Sequence, residues 1–492
     1  MKKGFLILQI DGLSFEELKG AINEGRAPFL QSLLKNEEFK MEKMYCGFPP
    51  IKLQTGVLYG RYQDIPGLVW FDKRRGSFAS LVEADELLRL ERGWSKGILE
   101  KGVAIGTIFS GCSRKGFGSA ARLNLSLLLD NFPKYEIVFY LTIAPFILLA
   151  DFLVSALTKF ELGVIFEGIF ADRIFRRSTF NLARKEIEEG TPSLYINFAG
   201  HDRRFHGFGR ESFFTKQVIK SIDKKLRKIY DLAKKSEIVD YDLFIISDHG
   251  QAESVSFREC FGRTLGRVIE KELGTEISGG DFMKEAIIER IEKSVNEIPW
   301  LRKIGWPFMN LAKRYYGKAN SLDLPGKVIL ILHGDFAHLY FNDKKERLPY
   351  EEIERRYPGF LKSLVKHRGI KLLLVSSKKG VRVLGKKGEV LINQRERLKG
   401  EDPLADVFDR EFVLNSLKGL IEMRNSGDVI IASSKMKGKV LNFSAEFSCH
   451  GGIEKSEQEI FIIRPSSLKR SFEGNKEPKR LYNFFKKYLK YI

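Results

Sequence analysis

Cysteine is scarce in this chain of 492 residues, which holds four of them at widely separated positions. They form no C-x-x-C pair, so neither a disulfide framework nor a zinc ribbon is indicated. Recognisable nucleic-acid modules, such as zinc fingers or RNP-type motifs, are missing as well. The N-terminal apolar run is too short for a signal peptide and ends in Asp11 instead of a small-residue cleavage site. These absences favour a protein of the reducing cytosol whose chain begins with a strand.

The composition is typical of a globular protein, with 43% hydrophobic and 30% charged residues. The length predicts either one α/β domain with a sizeable insertion or two domains. The formal net charge of +20 leaves three interpretations open. The basic surface could attract nucleic acid, attract an anionic membrane, or be the solvated surface of a protein from a lysine-rich organism.

The stretch LFIISDHGQ, residues 243–251, is the most informative part of the sequence. Its first four residues are apolar and predict a strand buried on both faces of a parallel sheet. Asp248 and His249 follow where that strand ends, which is where open α/β sheets bind ligands. Both side chains are good ligands for a borderline divalent ion such as zinc.

Further ligand-type residues follow other apolar strands. Asp202 and His206 come after the strand 194–198, and their spacing of four places both on one face of a helix. The six candidates divide into two sets of three: Asp202, His206 and His450 for one ion, and Asp11, Asp248 and His249 for a second. Three protein ligands per ion leave coordination positions open for a substrate.

Four motifs in a fixed order carry a resemblance to a known group. They are IDG at 10–12, Asp202 with His206, SDHG at 247–250 and HGG at 450–452. With them the chain resembles the alkaline phosphatase superfamily, and within it the type I phosphodiesterase/nucleotide pyrophosphatase family. The resemblance implies that the six residues hold two divalent metal ions, with zinc expected and manganese as the alternative.

The resemblance fails where the family carries a Thr or Ser nucleophile. Residues 47–52 contain no hydroxyl, so Thr55 becomes the default nucleophile. The alternative is that Thr55 is a helix residue packed beside Gly56. Cys46 is a more distant candidate, and a water activated by a metal ion would need no side-chain nucleophile. Lys52 is a candidate for neutralising a substrate phosphate.

The predicted fold class is α/β, with an alkaline phosphatase-like core whose mostly parallel sheet is flanked by helices. An inserted α/β cap and a helical apolar insertion complete it. The resemblance implies that such a cap sets specificity, and His338 within it is predicted to be either structural or in contact with substrate. The segments are the first part of the core (1–120), the apolar insertion (121–190), the core continued (191–255), a helical linker and cap (256–426), the core completed (427–465) and a basic amphipathic tail (466–492).

Two segments raise the question of a membrane. The apolar run 137–157 is long enough to span a bilayer, but a single crossing would put Asp11 and Asp202 on opposite sides. We therefore expect a helical hairpin that covers the core, dips into the interface or mediates a homodimer. The tail helix at 478–492 is either of the membrane-surface type or docked on the protein. The expected location is the cytoplasm, or the inner face of the membrane as a peripheral protein.

These observations predict a two-metal-dependent hydrolase or transferase acting on phosphate esters. We expect a phosphodiesterase or pyrophosphatase whose anionic substrate has a lipid portion, because of the apolar insertion and the amphipathic tail. The alternative is a catalytically impaired family member that acts as a metal-containing binding protein at a membrane surface. A nucleic-acid phosphodiesterase is a third hypothesis, although nucleic acid is not the expected partner.

Overall fold

The structure of the chain is a computed structural model that describes residues 1–62, 64–94, 96–117, 162–280, 326–393, 395–444 and 446–489. The described strands are β1 (Lys2–Ile10), β2 (Phe39–Tyr45), β3 (Val69–Asp72), β4 (Ser77–Ser80), β5 (Val103–Ile105), β6 (Lys115–Phe117), β7 (Ser193–Phe198), β8 (Val239–Ile246), β9 (Ala252–Ser256), β10 (Ser278–Gly280), β11 (Val328–His333), β12 (Phe336–Phe341), β13 (Ile370–Ser377), β14 (Gly380–Gly385), β15 (Gly388–Ile392), β16 (Glu396–Gly400), β17 (Val429–Ser433), β18 (Lys435–Met436), β19 (Lys439–Asn442), β20 (Ser448–Cys449) and β21 (Glu459–Pro465). The described helices are α1 (Phe15–Asn23), α2 (Pro28–Lys35), α3 (Lys52–Tyr59), α4 (Ala84–Arg92), α5 (Leu162–Glu188), α6 (Gly200–Phe208), α7 (Phe213–Lys234), α8 (Phe257–Phe261), α9 (Leu265–Leu273), α10 (Tyr350–Arg356), α11 (Phe360–Lys366), α12 (Arg410–Glu422), α13 (Lys455–Gln458) and α14 (Lys479–Tyr488).

The core is a seven-stranded sheet in the order β2-β21-β8-β1-β7-β5-β6. β1 pairs in parallel with β7 and β8, and β5 pairs in parallel with β7 and β6. The three central strands are apolar and buried along most of their length, as parallel strands covered on both faces must be. The predicted mostly parallel sheet is confirmed.

Helices cover both faces of this sheet. On one face, Leu18 of α1, Leu30 of α2 and Leu226 of α7 belong to an apolar cluster that includes Leu6 and Leu8 of β1. On the opposite face, α3 and α14 pack with Phe5 and Ile7. Successive residues of a strand point to opposite faces, so β1 alone contributes to both clusters. The predicted flanking helices are confirmed.

The second sheet belongs to the cap and has eight strands in the order β10-β11-β12-β17-β13-β14-β15-β16. It confirms an inserted α/β subdomain, but its boundary differs from the prediction at 426/427. Strand β17, expected to complete the core, lies in the middle of the cap sheet and pairs antiparallel with β12 and β13. Its residues alternate between two buried clusters, Val429 and Ile431 on one face and Ile430 on the other. An apolar strand buried on both faces fits either sheet, so the sequence could not assign it.

The C-terminal helix α14 is docked on the protein, which decides between the two predicted alternatives for the tail. Leu481, Tyr482 and Phe485 are buried. The Phe485 ring lies 5.1 Å from that of Phe5 and 5.0 Å from that of Phe244, measured between centroids. The apolar stripe of the tail therefore covers the core sheet.

Within the described ranges, no helix is both long and apolar enough to cross a membrane. The apolar run 137–157, and with it most of the predicted insertion at 121–190, lies outside those ranges.

An ion pair is buried at the antiparallel edge of the core, where β2 meets β21. Arg464 Nε donates to Glu42 Oε2 at 3.0 Å, and both residues are buried. The backbone N–H of Phe472 also donates to Glu42, at 2.7 Å, and the hydroxyl of Ser471 at 2.9 Å. Burial by itself raises the pKa of Glu42, but the Arg464 guanidinium and these donors hold it below its usual value.

We expect Glu42→Gln to lower the free energy of unfolding by about 3–5 kcal/mol, because it leaves the Arg464 charge buried without a counter-charge. Urea denaturation at neutral pH measures this loss. Asp240→Asn is the matched control, since Asp240 pairs with Lys3 on the surface and the change should cost under about 1 kcal/mol.

The lowered pKa of Glu42 also fixes the sign of the pH dependence. The contribution of the pair is present above the usual pKa of Glu and is lost as the pH falls through the lower folded value. The difference between wild type and Glu42→Gln should therefore shrink only in acid. Equal losses for Glu42→Gln and Asp240→Asn would contradict the assignment of a buried pair.

Candidate metal centre

Three adjacent strands of the core, β8, β1 and β7, end at one edge of the sheet. Asp11 follows β1, Asp248 and His249 follow β8, and helix α6, carrying Asp202 and His206, follows β7. Parallel strands present their carboxyl ends to the same edge, so these side chains converge there. The sequence places a carboxylate at each of the three strand ends.

His450 reaches the same place from another direction. It follows β20, whose residues Ser448 and Cys449 pair antiparallel with Glu253 and Ala252 of β9. Since β9 begins three residues after His249, this small sheet ties the two histidine loops together. The rings of His249 and His450 are stacked with centroids 3.9 Å apart. All six residues predicted as ligands are therefore brought into one cluster.

The first set surrounds His249. Its Nε2 lies 3.4 Å from Asp11 Oδ1 and 3.7 Å from Asp248 Oδ2. Its Nδ1 lies 3.1 Å from the carbonyl oxygen of Gly250, which can only accept, so Nδ1 carries the hydrogen and the Nε2 lone pair faces the two carboxylates. Carboxylate oxygens and an imidazole nitrogen at one point form a set that suits a divalent cation.

The second set surrounds Asp202. His206 Nε2 lies 3.4 Å and His450 Nε2 lies 3.8 Å from Asp202 Oδ1. The spacing of four within α6 brings His206 and Asp202 together, as predicted from the sequence. His206 Nδ1 lies 3.1 Å from the Ser448 carbonyl oxygen, which fixes the hydrogen on Nδ1 and leaves Nε2 towards Asp202.

His249 can also be grouped with Asp202 and His450, because their ligand atoms lie within 4.8 Å of one another. One imidazole nitrogen serves one ion, however, and His249 Nε2 is nearer to Asp11 than to Asp202, from which it is 4.0 Å away. The distances from His249 to Asp11 and Asp202 thus favour the division predicted from the sequence, in which His249 belongs to the first set and His206 to the second.

The pKa shifts within the cluster indicate that, without a cation, it lacks positive charge. Burial and the neighbouring Asp11 raise the pKa of Asp248 well above its usual value. Burial lowers the pKa of His249, but Asp248 outweighs it and the result is a pKa of about 10. Burial and then the charge of His249 lower the pKa of His450, whose buried Nδ1 has no hydrogen-bond partner in the described part of the chain. Divalent cations would supply the positive charge that protons otherwise provide, so the residues present fit a metal centre.

Two amides that the sequence analysis overlooked hold the ligands in place. Asn197 Nδ2 donates to Asp11 Oδ2 at 2.8 Å, and Gln251 Nε2 donates to Asp202 Oδ1 at 2.7 Å. Such outer partners orient metal ligands and tune their basicity. A signal was available for both, since Asn197 interrupts an apolar strand and Gln251 follows the Asp-His-Gly tripeptide directly.

Gly12 allows the close approach of these groups. Its φ is +71°, and a Cβ at this position would lie 2.6 Å from Gln251 Nε2 and 2.9 Å from Asp202 Cβ. Its N–H donates to Asp248 Oδ1 at 3.1 Å. A residue with a side chain would meet both a strained conformation and a collision here.

Thr55, the default nucleophile, does not offer its hydroxyl to the cluster. It is fully buried in α3, and its Oγ1 donates to the carbonyl oxygens of Ile51 at 3.1 Å and Lys52 at 3.3 Å within its own helix. Its neighbour Gly56 packs against Pro478, since a Cβ there would lie 2.4 Å from the Pro478 Cβ. This placement favours the alternative of a structural helix residue.

Cys46 lies close enough to Asp248 to feel its charge, and Lys52 lies near Cys46. The Cys46 thiol is buried, and burial and the charge of Asp248 raise its pKa, which makes it a poor nucleophile. Lys52 is largely buried, and its Nζ lies 4.5 Å from the centre of the Tyr62 ring. Among the described residues Lys52 has no ion-pair partner. Its position is compatible with the predicted role towards a phosphate.

His338, the other predicted substrate contact, lies in the cap core. It is buried in β12, and its Nδ1 accepts a hydrogen bond from the backbone N–H of Gly427 at 3.1 Å. Burial lowers its pKa well below the usual value, so it is neutral. The structural alternative for His338 is the one that this environment favours.

A family model described as type I phosphodiesterase/nucleotide pyrophosphatase matches residues 5–297, which include every ligand candidate except His450. No curated protein sequence matches the chain. Among solved structures, phosphonoacetate hydrolase from Sinorhizobium meliloti 1021 is 12% identical, with 99% of this chain and 95% of that chain covered and a TM-score of 0.48.

Two further structures are similar at the same level. Murine ectonucleotide pyrophosphatase/phosphodiesterase 5, an inactive variant solved with AMP, is 12% identical, with 99% of this chain and 95% of that chain covered and a TM-score of 0.47. Alkaline phosphatase PafA is 13% identical, with 96% of this chain and 93% of that chain covered and a TM-score of 0.49.

We expect Asp248→Asn to lose bound metal, because it removes a charged ligand from the first set while keeping its shape. Elemental analysis after dialysis against metal-free buffer should find at least one zinc equivalent less per chain than in wild type. Asp242→Asn is the matched control, since Asp242 lies on the same strand and outside the cluster. Equal metal contents of Asp248→Asn and wild type would contradict the first set.

Proposed function

The chain belongs to the type I phosphodiesterase/nucleotide pyrophosphatase family, and from that premise we propose that its six-residue cluster hydrolyses phosphodiester or pyrophosphate bonds with the help of divalent cations. The family makes the chain a phosphoric ester hydrolase. One observation carries the proposal: carboxylates and imidazoles converge in two adjoining sets where three parallel strands end.

The two sets would hold two cations, with zinc proposed because the ligands are nitrogen and carboxylate oxygen. When bound, the ions supply Lewis-acid polarisation of a phosphoryl oxygen and lower the pKa of a water. The chain's own part is to fix the ligands, through the amides of Asn197 and Gln251 and the carbonyl groups that orient the histidines.

Water is the nucleophile that this site supports best. No hydroxyl occurs between Gly47 and Lys52, and the hydroxyl of Thr55 is bonded within its helix. Nearer the cluster, the hydroxyl of Ser247 donates to the His249 carbonyl oxygen at 2.8 Å and that of Ser448 to Gln251. In the proposed step, the water oxygen bonds to phosphorus as the bond to the leaving oxygen breaks.

Lys52 is proposed to neutralise the phosphate. It sits at the start of α3, next to the loop in which relatives carry the nucleophile, and a Cβ at Gly47 would lie 3.0 Å from its Nζ. Burial lowers the pKa of Lys52, which shows that its charge is partly desolvated. A substrate phosphate would provide a close counter-charge, whereas Glu477, which also acts on Lys52, forms no ion pair with it.

An aromatic border supports a substrate with an apolar portion. Phe447, whose N–H donates to the His206 carbonyl oxygen at 3.1 Å, is 56% exposed. Phe213, which begins the helix after the ligand helix, is 68% exposed, and its ring lies 6.0 Å from that of Phe214. Exposed aromatic rings beside a polar cluster suit a nucleobase or a lipid chain, and we propose the lipid-bearing substrate.

The function is tested by turnover of p-nitrophenyl mono- and diesters with metal-stripped protein and with zinc or manganese restored. Turnover should return only with metal and should favour a diester. Asp248→Asn should lose at least about a hundredfold in kcat/KM, as the loss of charge stabilisation in a transition state does. Thr55→Ala should stay within about fivefold of wild type, a change under about 1 kcal/mol.

The Thr55 variants also identify the nucleophile. If Thr55→Ala abolishes turnover with an unchanged unfolding midpoint, while Thr55→Ser retains it, the covalent route through Thr55 is correct and the water route is wrong. No turnover with any metal and any ester would contradict the hydrolase.

Lys52→Gln should lower kcat/KM for anionic esters by about tenfold or more, because a charge-assisted contact to the phosphate is worth about 1.5–3 kcal/mol. Lys52→Arg keeps the charge and should retain more of the rate. Lys101→Gln is the control, since Lys101 is an exposed lysine. An unchanged kcat/KM in Lys52→Gln would exclude the phosphate contact.

A further inference from the structure

A third group of ligand-type side chains lies outside the six-residue cluster. It consists of Asp335, Cys449 and Glu457, whose ligand atoms all lie within 4.8 Å of one another. All three are buried, with 3%, 0% and 0% of their surface exposed. The function proposed above uses none of these side chains.

Each member comes from a different part of the fold. Asp335 lies in the turn between β11 and β12 of the cap sheet, Cys449 ends β20 directly before His450, and Glu457 lies in α13 before β21 of the core sheet. The backbones are fixed, since Ser433 N donates to the Asp335 carbonyl oxygen and Gly250 N donates to the Glu457 carbonyl oxygen, both at 2.9 Å. The group therefore joins the cap to the core behind the two histidine loops.

The two carboxylates, if ionised and without a cation, would destabilise the folded protein. Asp335 Oδ1 and Glu457 Oε1 are buried and have no hydrogen-bond partner among the described residues. In the described part of the chain no Lys, Arg or His forms an ion pair with either of them, and Lys435 pairs with Glu454 instead, at 2.5 Å. Two buried acids without a counter-charge repel each other and lack solvation, so the site calls for a positive charge.

The main chain makes room for this convergence. A Cβ at Gly452 would lie 1.8 Å from Asp335 Oδ2 and 2.5 Å from Glu457 Oε2, so any larger residue would push the two carboxylates out. The other two oxygens, Asp335 Oδ1 and Glu457 Oε1, remain available as ligands, and the Cys449 thiol lies within hydrogen-bonding reach of Glu457. Two carboxylates and a thiolate supply three ligands of a four-coordinate ion, and the second oxygen of one carboxylate can supply the fourth without water.

We propose that Asp335, Cys449 and Glu457 bind a further divalent cation, of the zinc class that accepts thiolate and carboxylate ligands, and that this ion clamps the cap to the core beside His450. The mixed sulfur and oxygen ligands exclude magnesium and calcium, which take oxygen alone. The proposal does not depend on the hydrolytic activity, because it concerns a buried site whose ligands lie outside the six-residue cluster.

Cobalt(II) tests the proposal, because a thiolate bound to cobalt gives a sulfur-to-metal charge-transfer absorption in the near ultraviolet. The six-residue cluster contains no sulfur, so this band reports on the third site alone. Titration of the metal-stripped, reduced, full-length protein should produce the band, which should saturate by three equivalents per chain at an intensity that corresponds to one cobalt–thiolate site. Asp248→Asn should keep it, which separates this site from the proposed function.

Cys449→Ser should lose the band, and Cys46→Ser, which alters another buried cysteine beside the site, should keep it. Asp335→Asn keeps the thiol but removes a ligand, so it should need about tenfold more cobalt or more for the same absorbance. Its unfolding midpoint should also gain less from added metal than that of wild type.

Three results would overturn the third site. They are the absence of the band at saturating cobalt, its loss in Cys46→Ser with retention in Cys449→Ser, and an unchanged cobalt titration in Asp335→Asn. In the first case the two carboxyl groups share a proton instead of an ion. Turnover without the band would support the hydrolase and exclude only the third metal site. The band without turnover would support the third site and contradict the hydrolase.

Discussion

The mutual repulsion of three carboxylates is the constraint on which the rest of the structure depends. Asp11, Asp202 and Asp248 meet because β1, β7 and β8 are parallel neighbours whose carboxyl ends share one edge. Hydrogen bonds from Asn197, Gln251 and the N–H of Gly12 occupy some of their oxygens, but neutral donors cannot balance the charge. The imidazoles do so only by taking up protons, and divalent cations do so without them.

The cap is part of the same arrangement and not an independent module. Its β11–β12 turn contacts the loop that carries His450, since a Cβ at Gly334 would lie 3.0 Å from the Cys449 Cβ. Its central strand β17 is followed by the small sheet that holds β20 beside β9. A displacement of the cap would thus also shift the loop that carries His450, so the cap is coupled to the second set of ligand candidates.

Sequence patterns predicted the parts of the structure that depend on local order. An apolar strand followed by Asp or His is a local pattern, so the six candidate ligands and the parallel core could be predicted, and the spacing of Asp202 and His206 places both on one face of α6. Thr55 could not be judged in this way, because only its helix shows that the hydroxyl is bonded to Ile51. The prediction for strand β17 was wrong for another reason. Its apolar residues fit either sheet, and the strands with which it pairs, which are distant in the chain, determine that it belongs to the cap sheet.

The absence of a hydroxyl in residues 47–52 and the presence of Lys52 have one physical explanation. A covalent route needs a nucleophile held at the metal ions, whereas a single displacement by water needs the phosphate held there instead. The proposed role of Lys52, a largely buried lysine beside Gly47, is this second task, since its charge is poorly solvated and a phosphate would restore the lost interaction. The chain would then give up transfer to alcohol acceptors through a covalent intermediate and keep hydrolysis, with inversion of configuration at phosphorus as the stereochemical consequence of one in-line step.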